Sequence, residues 1–329
     1  MPPRKRKNSS TTAKAAGSME KDTTSEAVEP SSSAIRAPES RPSVPLEPSG
    51  RQQVKKAVDK KSLSMLNKLY YFCTRRPNVH DELSVLVSMF GVHLGRKDSH
   101  TMRPKGWVSF MVILAAGKIM MEEEKATNGA VTRHIFSPQF MSKVLFRSNL
   151  SNEEDSYKPW CIEDVSQFIS PIKLGYDINQ CKFIFAPTLF EEHWSCYAFE
   201  PKEKTLYVLD PMQNNLSISK KNLDDATKRR FEELLVLMSP GLTEENASVT
   251  LVYVDVPRQK NNHDCGIYVM KYMEIWDGSI KWQDKSMPDY QDKEIQKFRQ
   301  SFMCGWVQHP KNEVRETILK AAQVWEKLG

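Results

Sequence analysis

Residues 183–210 decide the fold, and they read FIFAPTLFEEHWSCYAFEPKEKTLYVLD. Apolar runs at 183–187, 194–199 and 205–209 are separated by short polar stretches, and the last run stops at Asp210-Pro211. Runs of branched and aromatic residues bounded by charged turns favour strands. The segment therefore predicts a meander of adjacent antiparallel strands.

Helices are predicted on both sides of this meander. Downstream, a branched strand over 249–256 ends at Pro257, and a helix that is apolar on almost every side begins at Cys265. A helix of that kind is central and buried. Other helical segments are predicted at 107–121, after Ser137-Pro138, and near 222–238, 292–306 and 312–328, with a polar loop over 122–130. Helices around one central antiparallel sheet define an α+β fold.

The first 61 residues have a different composition. Ser, Thr, Pro, Ala and charged residues dominate residues 1–61, which predicts a disordered basic tail that cannot bury enough apolar surface to fold. The tail opens with Pro-Pro-Arg-Lys-Arg-Lys at 2–7, a cluster of the nuclear-localisation type, although a merely solubilising basic end is the alternative. Ser62 is the predicted cap of the first helix, so residues 62–329 form the predicted folded domain.

Charge and cysteine usage restrict the function. Residues 1–62 hold 13 Lys/Arg and 7 Asp/Glu, whereas residues 63–329 hold 34 of each, so the body is electroneutral. This charge balance argues against nucleic acid as the main substrate of the folded domain, although a local basic patch stays open. No long apolar run or signal-peptide core occurs, which predicts an intracellular protein without a membrane partner. Six cysteines without a CxxC pair suggest no zinc ribbon and no disulfide framework, and no cofactor is predicted.

Cys265 is the first candidate for chemistry. It stands where a polar loop turns into the predicted buried helix, and a helix N-terminus favours the thiolate, which is the nucleophilic form. Gly266 is expected to leave room beside the sulfur for a substrate carbonyl. The alternative is a buried structural cysteine, the commoner fate of a lone cysteine.

Three polar residues are candidates to act with that thiol. If the runs 194–199 and 205–209 form a hairpin, His193 and Asp210 lie at the same open end, where Asp210 could orient a basic imidazole. Gln259, six residues before Cys265, could aim its amide at a developing oxyanion. Each residue also has a plainer alternative: a surface histidine for His193, a turn residue for Asp210 and a solvated loop residue for Gln259. Any one of the three, taken alone, could be explained in this way.

Taken together, these residues resemble a known family. His193-Trp194, Asp210 seventeen residues later, Gln259, and Asp264-Cys265-Gly266 resemble the ubiquitin-like-protein-specific, or SUMO (sentrin)-specific, cysteine proteases, which are related to the adenovirus protease. The resemblance is strongest over 182–276 and has its core at 103–276. It implies a papain-like cysteine protease fold of the adenain type.

The resemblance also implies roles. Cys265 would attack the carbonyl of a modifier's C-terminal glycine, with His193 as its base, Asp210 as the orienting carboxylate and Gln259 in the oxyanion hole. SUMO is the default modifier, a NEDD8-like protein or ubiquitin is the alternative, and precursor processing and removal from conjugates both stay open.

Two tryptophans carry the implied substrate contacts. Trp194 and Trp107 would clamp the thin Gly-Gly tail of the modifier, because a flat aromatic tunnel excludes any side chain. For both, a core aromatic is the alternative. After Trp107 this chain departs from the family pattern. It has Val108-Ser109-Phe110 where the family usually has acidic or amide residues.

Other hypotheses remain at this point. The chain could be an inactive relative that binds a modifier, or a chromatin-associated protein suggested by its basic tail. A metal site could use His193, Cys196 and Cys161 or Cys181, although a lone His-x-x-Cys is a weak signal. His263 could be proposed as the base, but it is too close to Cys265 along the chain to reach round to the sulfur.

Overall fold

The computed structural model describes residues 60–81, 84–149, 158–212, 217–239 and 241–328. The predicted tail lies outside the described residues except for its last two, and so does the basic cluster at 2–7. The first helix begins at Lys60, two residues before the cap predicted at Ser62. Ser62 therefore lies within the first turn of that helix.

The described elements alternate between helices and short strands. In chain order they are α1 (Lys60–Thr74), β1 (Val85–Met89), β2 (Val92–Gly95), α2 (Arg96–His100), α3 (Phe110–Asn128), β3 (Arg133–Ile135), α4 (Pro138–Asn149), α5 (Ile162–Ile169), α6 (Pro171–Leu174), β4 (Phe183–Phe190), β5 (His193–Glu200), β6 (Thr205–Leu209), α7 (Ile218–Met238), β7 (Thr250–Tyr253), α8 (Cys265–Ile275), α9 (Asp292–Gln308) and α10 (Arg315–Leu328).

The central sheet has five strands in the order β3-β4-β5-β6-β7. The predicted meander is confirmed, because β4, β5 and β6 are successive antiparallel neighbours. The prediction of a wholly antiparallel sheet is wrong at both edges, where β3 pairs with β4 and β6 pairs with β7 in parallel. Helices connect the strands of each parallel pair, and such a crossover returns the chain to the end where it started. The sheet is mixed, and the α+β class stands.

The helix before β3 is longer than predicted. α3 begins after Ser109, whose hydroxyl accepts the Val112 N–H at 3.3 Å, and ends at Gly129, which takes a left-handed φ of +76°. The stretch 122–128 is therefore helical, although its polarity predicted a loop. Two of its charged residues have partners: Glu122 pairs with Lys118 at 2.9 Å, and Glu124 accepts the Thr132 hydroxyl at 2.6 Å. Polarity on a solvated helical turn is easily mistaken for a loop.

Two hydrophobic cores lie on opposite faces of the sheet. Along β5, Cys196 and Ala198 belong to one core while Tyr197 and Phe199 belong to the other, as the period of a strand requires. The buried helix α8 packs against β5 and α3 on the first face. This packing brings the start of α8 to the strand that begins at His193.

Candidate active site

A tight turn sets the position of His193. Phe190 pairs with His193 across β4 and β5, so Glu191 and Glu192 form a two-residue hairpin turn. Both have positive φ, +48° and +60°, as a type I′ turn requires. Side chains other than glycine rarely adopt this conformation, and such strain persists where the surrounding structure imposes it. The turn makes His193 the first residue of β5.

Asp210 meets His193 from the neighbouring strand. It follows the last residue of β6, and because β5 and β6 are antiparallel the two side chains lie at the same end of the hairpin. His193 Nε2 and Asp210 Oδ1 are 2.8 Å apart, so the predicted proximity is confirmed. A carboxylate only accepts, so Nε2 carries the proton and Nδ1 is the nitrogen left to act as a base. Asp210 Oδ1 also accepts the Met212 N–H at 2.8 Å.

Cys265 is the first residue of α8 and is only 2% exposed. Its thiol lies close enough to His193 to help raise the pKa of the imidazole, so the structure brings the predicted nucleophile and base together. Gly266 also has a packing role that the sequence did not indicate. A Cβ there would lie 2.6 Å from Val108 Cβ and 3.3 Å from Trp194 Cδ1. Glycine is needed here because these two residues pack against the start of α8. The expected room for a substrate carbonyl stays a prediction.

The environment favours a charged pair. Burial lowers the pKa of His193, but the hydrogen bonds and charges of Asp210 and Cys265 outweigh it and raise the pKa to about 9. Burial raises the pKa of Asp210, but hydrogen bonding and attraction to His193, with smaller contributions from the Met212 N–H and Lys220, bring it below its usual value. At neutral pH the pair is therefore imidazolium and carboxylate.

This raised pKa predicts a pH dependence of stability. His193 contributes fully below its unfolded pKa of 6.5, and its contribution is lost as pH rises through about 9. We therefore expect the free energy of unfolding of the wild type, minus that of His193→Gln, to shrink between pH values of about 6 and about 9.5. Urea titrations of both proteins at the two pH values measure it. A difference that grows with pH would contradict the assigned charge state.

Gln259 has an unusual side chain. Its Nε2 and Oε1 atoms are both buried and have no hydrogen-bond partner in the described part of the chain. Its backbone N–H donates to the Pro211 carbonyl at 3.0 Å, which ties the loop before Cys265 to the residue after Asp210. An unpaired buried amide costs about 1–3 kcal/mol. Such an amide is free to donate to an oxygen that arrives from elsewhere.

The two tryptophans lie in different environments. Trp194 is 2% exposed and its indole N–H donates to the Val108 carbonyl at 2.9 Å, so it is part of the core as well as next to His193. Trp107 is 45% exposed, two residues before the Ser109 cap of α3, so the core-aromatic alternative does not hold for it. The predicted clamping role of both remains a prediction.

The competing histidine and metal hypotheses find little support. The nearest carboxylate to His263 Nε2 is Asp264 Oδ2 at 3.9 Å, whereas Asp210 bonds His193 at 2.8 Å. Cys181 donates to the Val131 carbonyl at 3.4 Å, and Cys161 lies at the exposed start of α5. Among the described residues, no group of three or more His, Cys, Asp or Glu side chains could hold a metal ion.

Sequence reasoning missed one residue that contacts this loop. Arg299 is fully buried on α9 and its Nη2 is 2.6 Å from Asp264 Oδ1. The available signal was its spacing, because Arg299 lies four residues from both Ile295 and Met303, which are buried on the same helix. An arginine in an apolar stripe indicates a buried ion pair.

His193 and Asp210 at the ends of neighbouring strands of a mixed sheet, with Cys265 at the start of a buried helix, are arranged as in a papain-like cysteine protease fold of the adenain type. Residues 106–304 match the family model of the Ulp1 protease family, C-terminal catalytic domain. The chain belongs to this family. No helix of the described part is both long and apolar enough to cross a membrane.

Known proteins support the same placement. The chain is 25% identical over 209 residues to a putative ubiquitin-like-specific protease 1B of Arabidopsis thaliana, covering 60% of this chain and 56% of that protein. It is 24% identical over 223 residues to human sentrin-specific protease 2, covering 64% and 33%. The C-terminal Ulp1 protease domain in complex with Smt3, the yeast ortholog of SUMO, shares the fold at a TM-score of 0.54 with 18% identity, covering 74% of this chain and 93% of that one.

Proposed function

We propose that the protein is an active cysteine protease that hydrolyses the bond after the C-terminal Gly-Gly of a ubiquitin-like modifier, with SUMO as the first candidate. The observation that carries the proposal is the His193–Asp210 contact of 2.8 Å beside the Cys265 thiol at the start of α8. The substrate class is supported by relatives that are ubiquitin-like-specific and sentrin-specific proteases, and by the Smt3 bound to the structural neighbour. Release from conjugates and processing of precursors use the same chemistry.

The reaction follows from the geometry in two steps. The Cys265 thiolate, its proton held on His193, attacks the glycine carbonyl and forms a C–S bond. The tetrahedral intermediate then collapses, the C–N bond breaks, and His193 gives its proton to the leaving amine. Water attacks the resulting thioester, His193 accepts a proton from that water, and the C–S bond breaks to release the carboxylate and restore the thiolate.

Two donors are proposed for the oxyanion. The unpaired Gln259 amide would offer Nε2–H, and the backbone N–H of Cys265, in the first turn of α8, would offer the second. First-turn N–H groups have no partner within their helix, so they are available to an anion. Preorganised donors of this kind stabilise the transition state without reorganising during the reaction.

Substitution of Gln259 separates rate from stability. We expect Gln259→Ala to lower kcat by about 100-fold to 1,000-fold. Because the amide has no partner, its loss should leave the unfolding temperature unchanged or raise it. Gln296→Ala is the matched control, since Gln296 Oε1 is also buried without a partner in the described part, and it should keep kcat. A Gln259→Ala protein with unchanged kcat would remove this residue from the mechanism.

The substrate class is tested with a panel of modifiers. SUMO, a NEDD8-like protein and ubiquitin, each carrying a fluorogenic amide after Gly-Gly, are incubated with the wild type and with Cys265→Ser. We expect release from SUMO and none from the serine variant. Release only from ubiquitin or the NEDD8-like protein would change the substrate, and release from none of the three would indicate an inactive, modifier-binding relative.

A nuclear location is proposed for the protein. The support is the basic cluster at 2–7, which lies outside the described residues. Fusion of the chain to a fluorescent protein, with and without alanines at the four basic positions 4–7, tests it. Nuclear signal that depends on those positions is the expected result, and equal distribution of both fusions would reject it.

A further inference from the structure

Arg299 holds two segments of the site at once. Its side chain is fully buried on α9 and reaches the Asp264 carboxylate through Nε at 3.2 Å and through Nη2 at 2.6 Å. The same guanidinium donates to four backbone carbonyls, those of Thr101 at 3.4 Å, Arg103 at 3.2 Å, Gly106 at 2.8 Å and His263 at 3.1 Å. A planar guanidinium with five donors can serve so many acceptors, whereas an ammonium cannot.

One of these segments ends at the nucleophile. Asp264 is the N-cap residue of α8, and its carbonyl accepts the N–H groups of Ile267 at 2.9 Å and Tyr268 at 3.2 Å. Its other carboxylate oxygen accepts the Asn261 amide at 2.7 Å. The residue directly before Cys265 is therefore fixed on both its side chain and its backbone.

The other segment ends at the exposed tryptophan. Residues 101–106 wrap tightly around the guanidinium, and a Cβ at Gly106 would lie 2.2 Å from the Thr101 carbonyl oxygen. Trp107 follows at once, and the Val108 carbonyl beyond it accepts the Trp194 indole N–H at 2.9 Å. The backbone on both sides of Trp107 is thus fixed, by Arg299 on one side and by Trp194 on the other.

We infer that Arg299 is a positioning residue that sets the distance between the Trp107 side chain and the Cys265 sulfur, and so admits the glycine tail of the modifier in register with the thiol. The inference rests on the proposed function for its substrate. Arg299 is remote from the sulfur in sequence and touches no reacting atom. It acts through the residue before Trp107 and the residue before Cys265.

The test separates tail alignment from thiol reactivity. Arg299→Lys keeps the charge but loses the fork of donors, so we expect kcat/KM for the modifier substrate to fall by about 100-fold, the effect of a misplacement near 1 Å. Alkylation of Cys265 by iodoacetamide needs no tunnel, and its rate should stay within about twofold of the wild type. Amide hydrogen exchange over 101–108 should accelerate, because the carbonyl anchors are lost.

Two further variants control the test. Gly106→Ala displaces the Trp107 segment but keeps the Arg299 side chain and its bond to Asp264. It should likewise slow cleavage of the modifier and leave alkylation of Cys265 near the wild-type rate. Arg230→Lys alters another buried arginine, which bonds to Glu233 at 2.7 Å and to the Lys158 carbonyl at 3.0 Å on the opposite core. That variant should keep the wild-type kcat/KM at temperatures where it is folded.

The outcomes are distinct. Cleavage that falls with unchanged alkylation and faster exchange over 101–108 supports the inference. Parallel loss of cleavage and alkylation, or wild-type cleavage by folded Arg299→Lys and Gly106→Ala, would overturn it while leaving the proposed function intact. A wild type that reacts with iodoacetamide yet cleaves no modifier would overturn the proposed function and the inference with it.

Discussion

Replacement of His193 by alanine is expected to lower kcat/KM by about 10,000-fold, whereas His263→Ala should cost less than about tenfold. The first change removes the ring that bonds Asp210 at 2.8 Å and meets the Cys265 thiol. The second removes a ring two residues from Cys265, whose Nε2 lies 3.9 Å from Asp264. Steady-state cleavage of a modifier with a fluorogenic C-terminus measures both values.

The two histidine variants control each other. Both remove an imidazole close to the nucleophile, so a general effect of losing a nearby ring would appear in both. Circular dichroism confirms that each variant is folded. A greater loss in His263→Ala than in His193→Ala would reverse the assignment of the base.

Asp210→Asn should also lower kcat/KM by about 10,000-fold. The amide can present an N–H where the carboxylate accepts, which favours the wrong imidazole tautomer, and the negative charge that raises the His193 pKa is gone. The pKa of His193 should therefore fall from about 9, and the alkaline limit of the activity profile should move to lower pH. Activity profiles over pH for both proteins measure the shift.

Asp164→Asn is the matched control for this change. Asp164 also has a lowered pKa and pairs with Lys143 at 3.3 Å, but it caps α5 far along the chain from the site. It should keep both kcat/KM and the alkaline limit. An Asp210→Asn protein with the wild-type profile would show that Asp210 does not act on His193.

The central features were predictable because they are local. Strand β6 has the predicted bounds of 205–209, α8 begins at the predicted Cys265, and the contact between His193 and Asp210 follows from a hairpin that the turn residues indicate. Each depends on short-range periodicity and on one chain reversal. Such features can be predicted from a single sequence because a few neighbouring residues determine them.

Features that depend on distant packing were not predictable. The parallel edge strands are set by where helical crossovers return, and the short strands β1 to β3 carry little periodicity of their own. The purpose of Gly266 is visible only once Val108 and Trp194 are placed against it. Arg299 follows Cys265 by 34 residues, and no local pattern links its guanidinium to the carbonyls before Trp107.

The most direct test is covalent capture of the nucleophile. SUMO with an electrophilic group in place of its C-terminal carboxylate is incubated with the wild type, Cys265→Ser and His193→Ala, and intact mass and peptide mapping locate the adduct. The account predicts one adduct at Cys265 in the wild type, none in Cys265→Ser, and a much slower reaction in His193→Ala. An adduct at any of the other five cysteines, or none with SUMO, NEDD8-like or ubiquitin probes, would contradict it.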